Sequence, residues 1–183
     1  PEWQYRRLPG LIIQTLEACR TYLQLALQPD HSLEQDLHYR IARRQAHVSD
    51  SALAEAWQNM LAEPRHKQRF LNLCVALTQR SHTLLSFIST LGAHRTRLCS
   101  QLTPAQQQLA DEIGRVLHSA AQIMAGQGSV EDTPMTLPEA QVDSDASAEQ
   151  WLIQQELVFI ANQANELLRL SWLLQPLQLA TRH

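Results

Sequence analysis

The sequence predicts an all-α fold: an up-and-down bundle of about five helices, with two long central helices and an acidic flexible loop before the last helix. Only 5 of the 183 residues are glycine, well below the roughly 7% of an average chain, and this disfavours turn-rich sandwiches and barrels. Apolar residues recur with the helical period of 3.6, and capping signals separate the periodic stretches. With 44% hydrophobic residues, residues 1–183 can form one domain with its own core.

The first helix is predicted to begin near Leu8 and to end at Pro29, with Pro9 in the first turn, where proline is tolerated. Its apolar side chains follow the helical period and form one buried stripe. The members of this stripe are Ile12, Leu16, Cys19, Leu23 and Leu27.

The second helix follows Ser32, which forms a capping-box signature with Gln35. It extends to Pro64 over about 30 residues, a length of about 45 Å. Its predicted buried face consists of Leu33, Leu37, Ile41, Val48, Ala52, Ala56 and Met60.

The third helix begins after Pro64, and its pattern weakens beyond Gly92. Its predicted stripe consists of Phe70, Leu73, Cys74, Leu77, Leu84, Ile88 and Leu91. The short break favours an antiparallel hairpin with the second helix. Folding about Pro64 then places His47 near Ser81 and His82, and Arg40 near Ile88.

The fourth helix has a capping box at Thr103 and Gln106, proline at its first position, and Gly126 as its stop signal. Its predicted stripe consists of Leu109, Ile113, Val116, Leu117, Ala120 and Met124. These signals are local, so they predict both ends of the helix.

The segment 126–148 contains two glycines, two prolines and five acidic residues but no basic residue, and we expect it to be a mobile loop. A last helix begins near Ser147, with Gln150 as its capping partner, and ends before Pro176. Its predicted stripe consists of Leu152, Leu157, Ile160, Ala164, Leu167 and Leu168.

Charge and cysteine content exclude or disfavour several classes of protein. The 15 basic and 18 acidic residues give a net charge of −3, whereas a nucleic-acid-binding domain normally carries a basic surplus. Three widely spaced cysteines, Cys19, Cys74 and Cys99, support neither a disulfide framework nor a metal knuckle. Uncharged stretches such as 81–93 and 170–181 are shorter than the roughly 18 to 20 apolar residues of a bilayer span. We expect no signal peptide before the first helix, and we expect the chain to be a piece of a longer protein.

The most informative segment is the basic stretch of the second helix. Arg40, Arg43, Arg44 and His47 follow i, i+3, i+4, i+7 spacing, so they share one helix face. One interpretation is a solvated face that pairs with nearby carboxylates. The other is an anion site, because guanidinium groups bind carboxylates and phosphates bidentately. His82 would join this face across the hairpin.

We expect neither catalysis nor a cofactor. The chain has no GxSxG elbow and no phosphate-binding glycine loop. His47 and His82 with no third ligand in recognisable spacing do not make a metal site. The residues therefore favour a binding or assembly role over an enzyme.

Three motifs resemble the cytoplasmic C-terminal region of the fusaric-acid-resistance-like (FUSC) inner-membrane proteins, in the YccS/YhfK branch. Together they cover roughly the first half of the chain. The motifs are Tyr39-Arg40-x-Ala42-Arg43-Arg44-x-Ala46-His47, Asn59-Met60-x-x-Glu63-Pro64 and Leu84-Leu85-x-Phe87-Ile88-Ser89-x-Leu91-Gly92-Ala93-His94-Arg95.

The resemblance implies a cytoplasmic domain of a larger bacterial inner-membrane protein whose other part supplies two groups of transmembrane helices. Members of the wider family are regarded as exporters of aromatic carboxylic acids. The expected partners are then the protein's own transmembrane region, a second copy, and an anionic small molecule or lipid headgroup. Trp3, Tyr5, Arg6 and Arg7 suit either a membrane interface or a frayed terminus.

Two functional hypotheses follow. The first is a cytosolic domain that assembles or gates the membrane part of a transporter, or collects anionic substrate on the arginine face. The second is a free-standing helical adaptor that binds a partner through exposed apolar stripes.

Overall fold

The computed structural model describes residues 3–29, 32–62, 71–98, 102–138 and 147–180. All regular elements in these ranges are helical, as the sequence predicts. They are α1 (Trp3–Ala26), α2 (Leu33–Leu61), α3 (Leu71–Ala93), α4 (Arg95–Leu98), α5 (Pro104–Met124) and α6 (Ala148–Ala180). The short α4 is an additional helical turn at the place where the third apolar pattern weakens.

Four helices, α1, α3, α5 and α6, form a bundle in which each contacts two of the others, and α2 packs outside it in the groove between α1 and α3. The central pair is therefore α1 and α3, each of which contacts three other long helices, rather than the predicted second and third helices. Because α2 packs on one side only, half of its circumference faces outward.

The direction of α6 departs from the up-and-down pattern that the first four long helices follow. Near the start of both helices, Gln106 Nε2 donates to the carbonyl of Gln150 at 3.0 Å. At the opposite end, Trp172 Nε1 donates to the carbonyl of Asp132, shortly after α5, at 3.4 Å. Thus α5 and α6 run parallel. Residues 125–147 are numerous enough to connect the end of α5 with the start of α6 at the opposite end of the bundle, because an extended chain spans about 3.3 Å per residue.

The predicted capping signals are confirmed. Ser32 accepts a hydrogen bond from the Gln35 N–H, and Thr103 and Gln106 form a reciprocal capping box. A second reciprocal pair joins Ser147 and Gln150. Gly126 ends α5 with a φ of 79°, a conformation that favours glycine.

The predicted buried face of α2 is wrong in its N-terminal half. Four apolar residues expected in the core are exposed: Leu33, Leu37, Ile41 and Val48. The face that packs against the bundle consists of Tyr39, Ala42, Ala46, Ser49, Asp50, Leu53, Ala56 and Met60. Small side chains let α2 approach the groove closely, so packing geometry, not hydrophobicity alone, decides which face is buried.

Other boundaries differ by a few residues. α1 begins at Trp3 and continues through Pro9, which removes one backbone donor without ending the helix. α6 continues through Pro176 to Ala180, and Leu152 at its start is 40% exposed rather than buried. The remaining stripe residues of the first, fourth and last helices are buried as predicted.

The described part of the acidic segment, 126–138, is held against α5 and α6. Asn165 accepts from the Met135 N–H at 2.9 Å and donates to its carbonyl at 3.0 Å. Asp132 accepts from Ser119 Oγ at 2.6 Å, and the Met135 side chain is buried. Residues 139–146 lie outside the described ranges.

Candidate functional site

Arg40, Arg43, Arg44 and His47 form what we call the arginine face of α2. This face lies between the side of the helix that packs on the bundle and the side that points away from it. All four side chains are exposed. α2 presents them together because residues three and four apart stack on one side of a helix. The face predicted from spacing is therefore present as a continuous surface.

Arg40 is engaged with its own helix. Its Nη2 lies 2.8 Å from Asp36 Oδ2, an i, i+4 ion pair. The other oxygen of the same carboxylate, Oδ1, lies 3.2 Å from Arg95 Nη2 and forms a second ion pair. Two guanidinium groups thus share one carboxylate, which leaves a local surplus of one positive charge.

Arg95 is the functional-site residue that sequence reasoning missed. It is only 7% exposed, its guanidinium carbon lies 4.0 Å from the centre of the Tyr39 ring, and its Nη1 has no hydrogen-bond partner among the described residues. Cation–π stacking and the Asp36 pair hold it in place. Its position at the end of the third resemblance motif was the available signal.

A polar cluster lies beneath the arginine face. The Tyr22 and Tyr39 rings lie 5.6 Å apart, centre to centre, and burial raises the pKa of Tyr22, an effect that Arg43 partly opposes. His47 Nε2 lies 3.4 Å from Ser89 Oγ, and its ring lies 6.4 Å from that of Tyr22. The arginine face is thus built on a fixed support of side chains from α1, α2 and α3.

Gly92 of α3 permits this cluster to form. A Cβ at this position would lie 2.6 Å from the Tyr39 hydroxyl oxygen and 2.9 Å from that of Tyr22. No larger residue fits without displacing one of the tyrosines. The glycine is required by close approach and not by an unusual backbone angle.

His82 is not brought to His47. Its Nδ1 lies 2.8 Å from Oδ2 of the buried Asp50, whereas His47 faces Ser89, two helical turns along α3. The predicted register of the hairpin is therefore displaced. Of the five predicted site residues, four lie on the arginine face, and the fifth, His82, is hydrogen-bonded to Asp50 further along the helices.

The arginine face is a surface and not an enclosed pocket. The two best-formed depressions among the described residues lie elsewhere. One of about 250 Å³ lies between α1 and α5, where Leu23, Gln24 and Ala110 contribute to its lining. The other, on the outside of α3, includes Arg80 and His82. Because this cationic surface is open to solvent, an anion on it would be held by charge-assisted hydrogen bonds and not by enclosure.

Two further observations concern the described ranges as a whole. They contain no group of three or more His, Cys, Asp or Glu side chains placed to hold a metal ion. None of their helices is long and apolar enough to cross a bilayer. The side chains of Trp3, Tyr5 and Arg6 lie outside the described residues.

The chain is similar to several bacterial proteins. It is 40% identical over 99 residues to the inner membrane protein YccS of Escherichia coli (strain K12), a match that covers 54% of this chain and 14% of that protein. It is 36% identical over 107 residues to an uncharacterised protein of Haemophilus influenzae, covering 58% of this chain and 15% of that protein. A protein of Neisseria gonorrhoeae, ORF2, is 29% identical over 103 residues, which is 24% of its length.

No known family profile and no solved structure matches the chain. The relatives support the YccS-like inner-membrane branch that the motifs indicate. The matched region spans about a seventh of the first two relatives. Homology to an inner-membrane protein thus supports membrane association for a chain whose described helices do not cross a membrane.

Proposed function

We propose that this homologue of YccS-like inner-membrane proteins is a cytoplasmic helical domain of a bacterial inner-membrane transport protein. In this proposal the domain assembles or gates the membrane part, and the arginine face collects anionic molecules such as aromatic carboxylates. Its main partner is the transmembrane region of the same protein, and its further partners are a second copy, an anionic small molecule or a lipid headgroup.

The observation that carries the proposal is that the arginines of this face are exposed and incompletely paired with carboxylates. Arg43 and Arg44 are exposed and make no ion pair with a carboxylate of the described residues, while Arg40 shares Asp36 with Arg95. Adjacent guanidinium groups on one helix repel each other by a few tenths of a kcal/mol per pair. An anion placed across them relieves that repulsion and gains charge-assisted hydrogen bonds.

We propose a role without catalysis, cofactor or nucleic acid. The two described thiols are poor nucleophiles, because burial raises the pKa of Cys19 to about 12 and that of Cys74 to about 11. The net charge of −3 disfavours nucleic-acid binding, because a domain of that kind normally carries a basic surplus.

The alternative, a free-standing helical adaptor, is favoured by apolar side chains exposed on α6. Trp151 is 55% exposed, and Phe159, 46% exposed, stacks on Phe87 with ring centres 5.2 Å apart. An adaptor requires a partner that covers these rings. Hydrophobic spans encoded upstream of Pro1 in the full-length gene would favour the transport protein, and a start codon immediately before Pro1 would overturn it.

The anion-collecting part is tested by calorimetric titration with benzoate, salicylate and related aromatic carboxylates. We expect saturable binding that is lost in the triple variant Arg40→Gln, Arg43→Gln, Arg44→Gln. The matched control removes three arginines from other helices, of which Arg115 and Arg169 are exposed and Arg20 is half-buried. This variant, Arg20→Gln, Arg115→Gln, Arg169→Gln, should bind like the unmodified chain. Equal binding by both variants, or no binding of any carboxylate, would discard the anion site, provided that circular dichroism shows the same helix content throughout.

A further inference from the structure

The outer face of α2 carries an apolar strip, formed by Leu33, Leu37, Ile41 and Val48, that no described part of the chain covers. Leu33 is 92% exposed, Leu37 and Ile41 are each 56% exposed, and Val48 is 53% exposed. Spacings of four, four and seven residues align them on one side of the helix. Single exposed leucines are ordinary, but an aligned row on a helix that already has a buried face indicates a docking surface.

The strip lies opposite the face by which α2 packs on the bundle. Ala42, Ala46 and Leu53 of that face fill the groove between α1 and α3 and are buried. Rotating α2 to bury the strip instead would expose Tyr39 and break its stacking on Arg95. The packing of the opposite side of α2 on the bundle therefore keeps the strip facing outward.

Basic residues lie within and beside the strip. Arg44 follows Ile41 by three residues and precedes Val48 by four, so it projects from the strip itself, and Arg40 follows Leu37 by three. Residues 33–48 carry three arginines against two acidic residues, Glu34 and Asp36, in a chain whose net charge is −3. The long arginine side chains can keep their charges at headgroup level while their methylene groups follow the apolar surface.

We infer that this outer face of α2 docks on an anionic lipid surface, with the apolar strip at the boundary of the acyl chains and Arg40 and Arg44 on lipid phosphates. This arrangement is typical of helices that lie in the plane of a membrane interface. The inference rests on the proposed function, which places the domain beside the inner membrane. A second copy fits the strip less well, because two such faces in contact bring both sets of arginines together.

Vesicle co-sedimentation of the 183-residue chain tests the inference. We expect binding to vesicles that contain phosphatidylglycerol and little binding to pure phosphatidylcholine. Leu37→Ser with Ile41→Ser leaves the charge unchanged and should weaken binding about 10-fold or more, as expected for two apolar side chains that leave the interface. Raising the salt concentration from about 0.1 M to about 1 M should weaken it as well.

The matched control is Val130→Ser with Leu173→Ser, which removes two exposed apolar side chains elsewhere and should leave binding unchanged. The inference is overturned if the unmodified chain does not bind anionic vesicles, or if the Leu37/Ile41 variant binds as well as the control. It is also overturned if sedimentation reveals self-association that the same variant abolishes, because the strip then belongs to a second copy. Carboxylate titration of the same variant separates the outcomes: loss of vesicle binding with carboxylate binding retained leaves the proposed anion site intact.

Discussion

The Arg95 guanidinium carbon lies 4.0 Å from the centre of the Tyr39 ring, and Arg95 Nη2 forms an ion pair with Asp36 at 3.2 Å, so Arg95 joins the helical turn α4 to α2. Arg40 approaches the same carboxylate from the solvent side. The support of the arginine face thus includes a buried cation that belongs to a different helix.

Replacing Arg95 by Met should therefore destabilise the fold. The change removes the stacking on Tyr39 and one of the two partners of Asp36, at an expected cost of about 1–3 kcal/mol, moderated because Arg40 remains. Arg95→Lys should recover only part of the lost stability, since an ammonium group lacks the planar stacking surface. Urea unfolding gives the comparison, with Arg115→Met as a control expected to change stability by less than about 1 kcal/mol. Equal effects at Arg95 and Arg115 would show that the contact does not stabilise the fold.

The two glycines Gly92 and Gly10 should respond to alanine in opposite directions. At Gly92 a Cβ would meet the Tyr39 and Tyr22 hydroxyls, and we expect a loss of about 1–3 kcal/mol. At Gly10 nothing lies within 4 Å of the added Cβ, and α1 should gain about 0.5–1 kcal/mol.

A double-mutant cycle locates the Gly92 clash. Tyr39→Phe removes the hydroxyl that lies nearest to the added Cβ, so it should recover part of the loss when combined with Gly92→Ala. Thermal unfolding of the two single variants and of the double variant gives the coupling free energy. Strict additivity would mean that the tyrosine is not what excludes a side chain at Gly92.

Local signals in the sequence predicted the helices but not their arrangement. The capping pairs at Thr103 and Ser147 involve residues three apart, so their geometry could be recognised without the fold. The direction of α6 depends on the path of segment 125–147, which no short-range pattern encodes. The exposed strip on α2 was assigned to the core because leucine and isoleucine outweigh alanine in a hydrophobic pattern, although the alanines fit the groove.

For the candidate site, too, the sequence predicted the relations within one helix but not those between helices. Spacing on one helix placed Arg40, Arg43, Arg44 and His47 together, because helical geometry fixes that relation. Arg95 and His82 belong to partners on other helices, and their positions depend on the register of packing. In the observed packing, His82 lies beside Asp50 and Arg95 lies beside Asp36.

Asp132 should make the stability of the chain sensitive to acid. Hydrogen bonds from Ser119 and from the Ser129 N–H lower the pKa of Asp132. A carboxyl group whose pKa is lower in the folded state stabilises the fold above its unfolded pKa of about 3.9, and this contribution is lost as the pH falls through the lower, folded value. Asp132→Ala should therefore lower the melting temperature at neutral pH, and the difference from the unmodified chain should shrink in strong acid. Glu131→Ala, next in sequence and exposed, serves as the control; a difference that grows toward acid would contradict the assignment.

Asn165 should decide whether the segment after α5 stays on the bundle. Its side chain satisfies both backbone groups of Met135, and Asn165→Ala leaves a partly buried N–H and carbonyl without partners, which costs about 1–3 kcal/mol if both remain buried. The less costly response is release of the segment into water, so we expect faster amide exchange at Met135 and faster proteolysis between Gly126 and Pro138, with α1 and α3 unaffected. Asn162→Ala is the matched control, because Asn162 donates only to the Val158 carbonyl of its own helix. Unchanged exchange at Met135 in the Asn165 variant would mean that the remaining contacts, the buried Met135 side chain and the hydrogen bonds of Asp132, are enough to hold the segment.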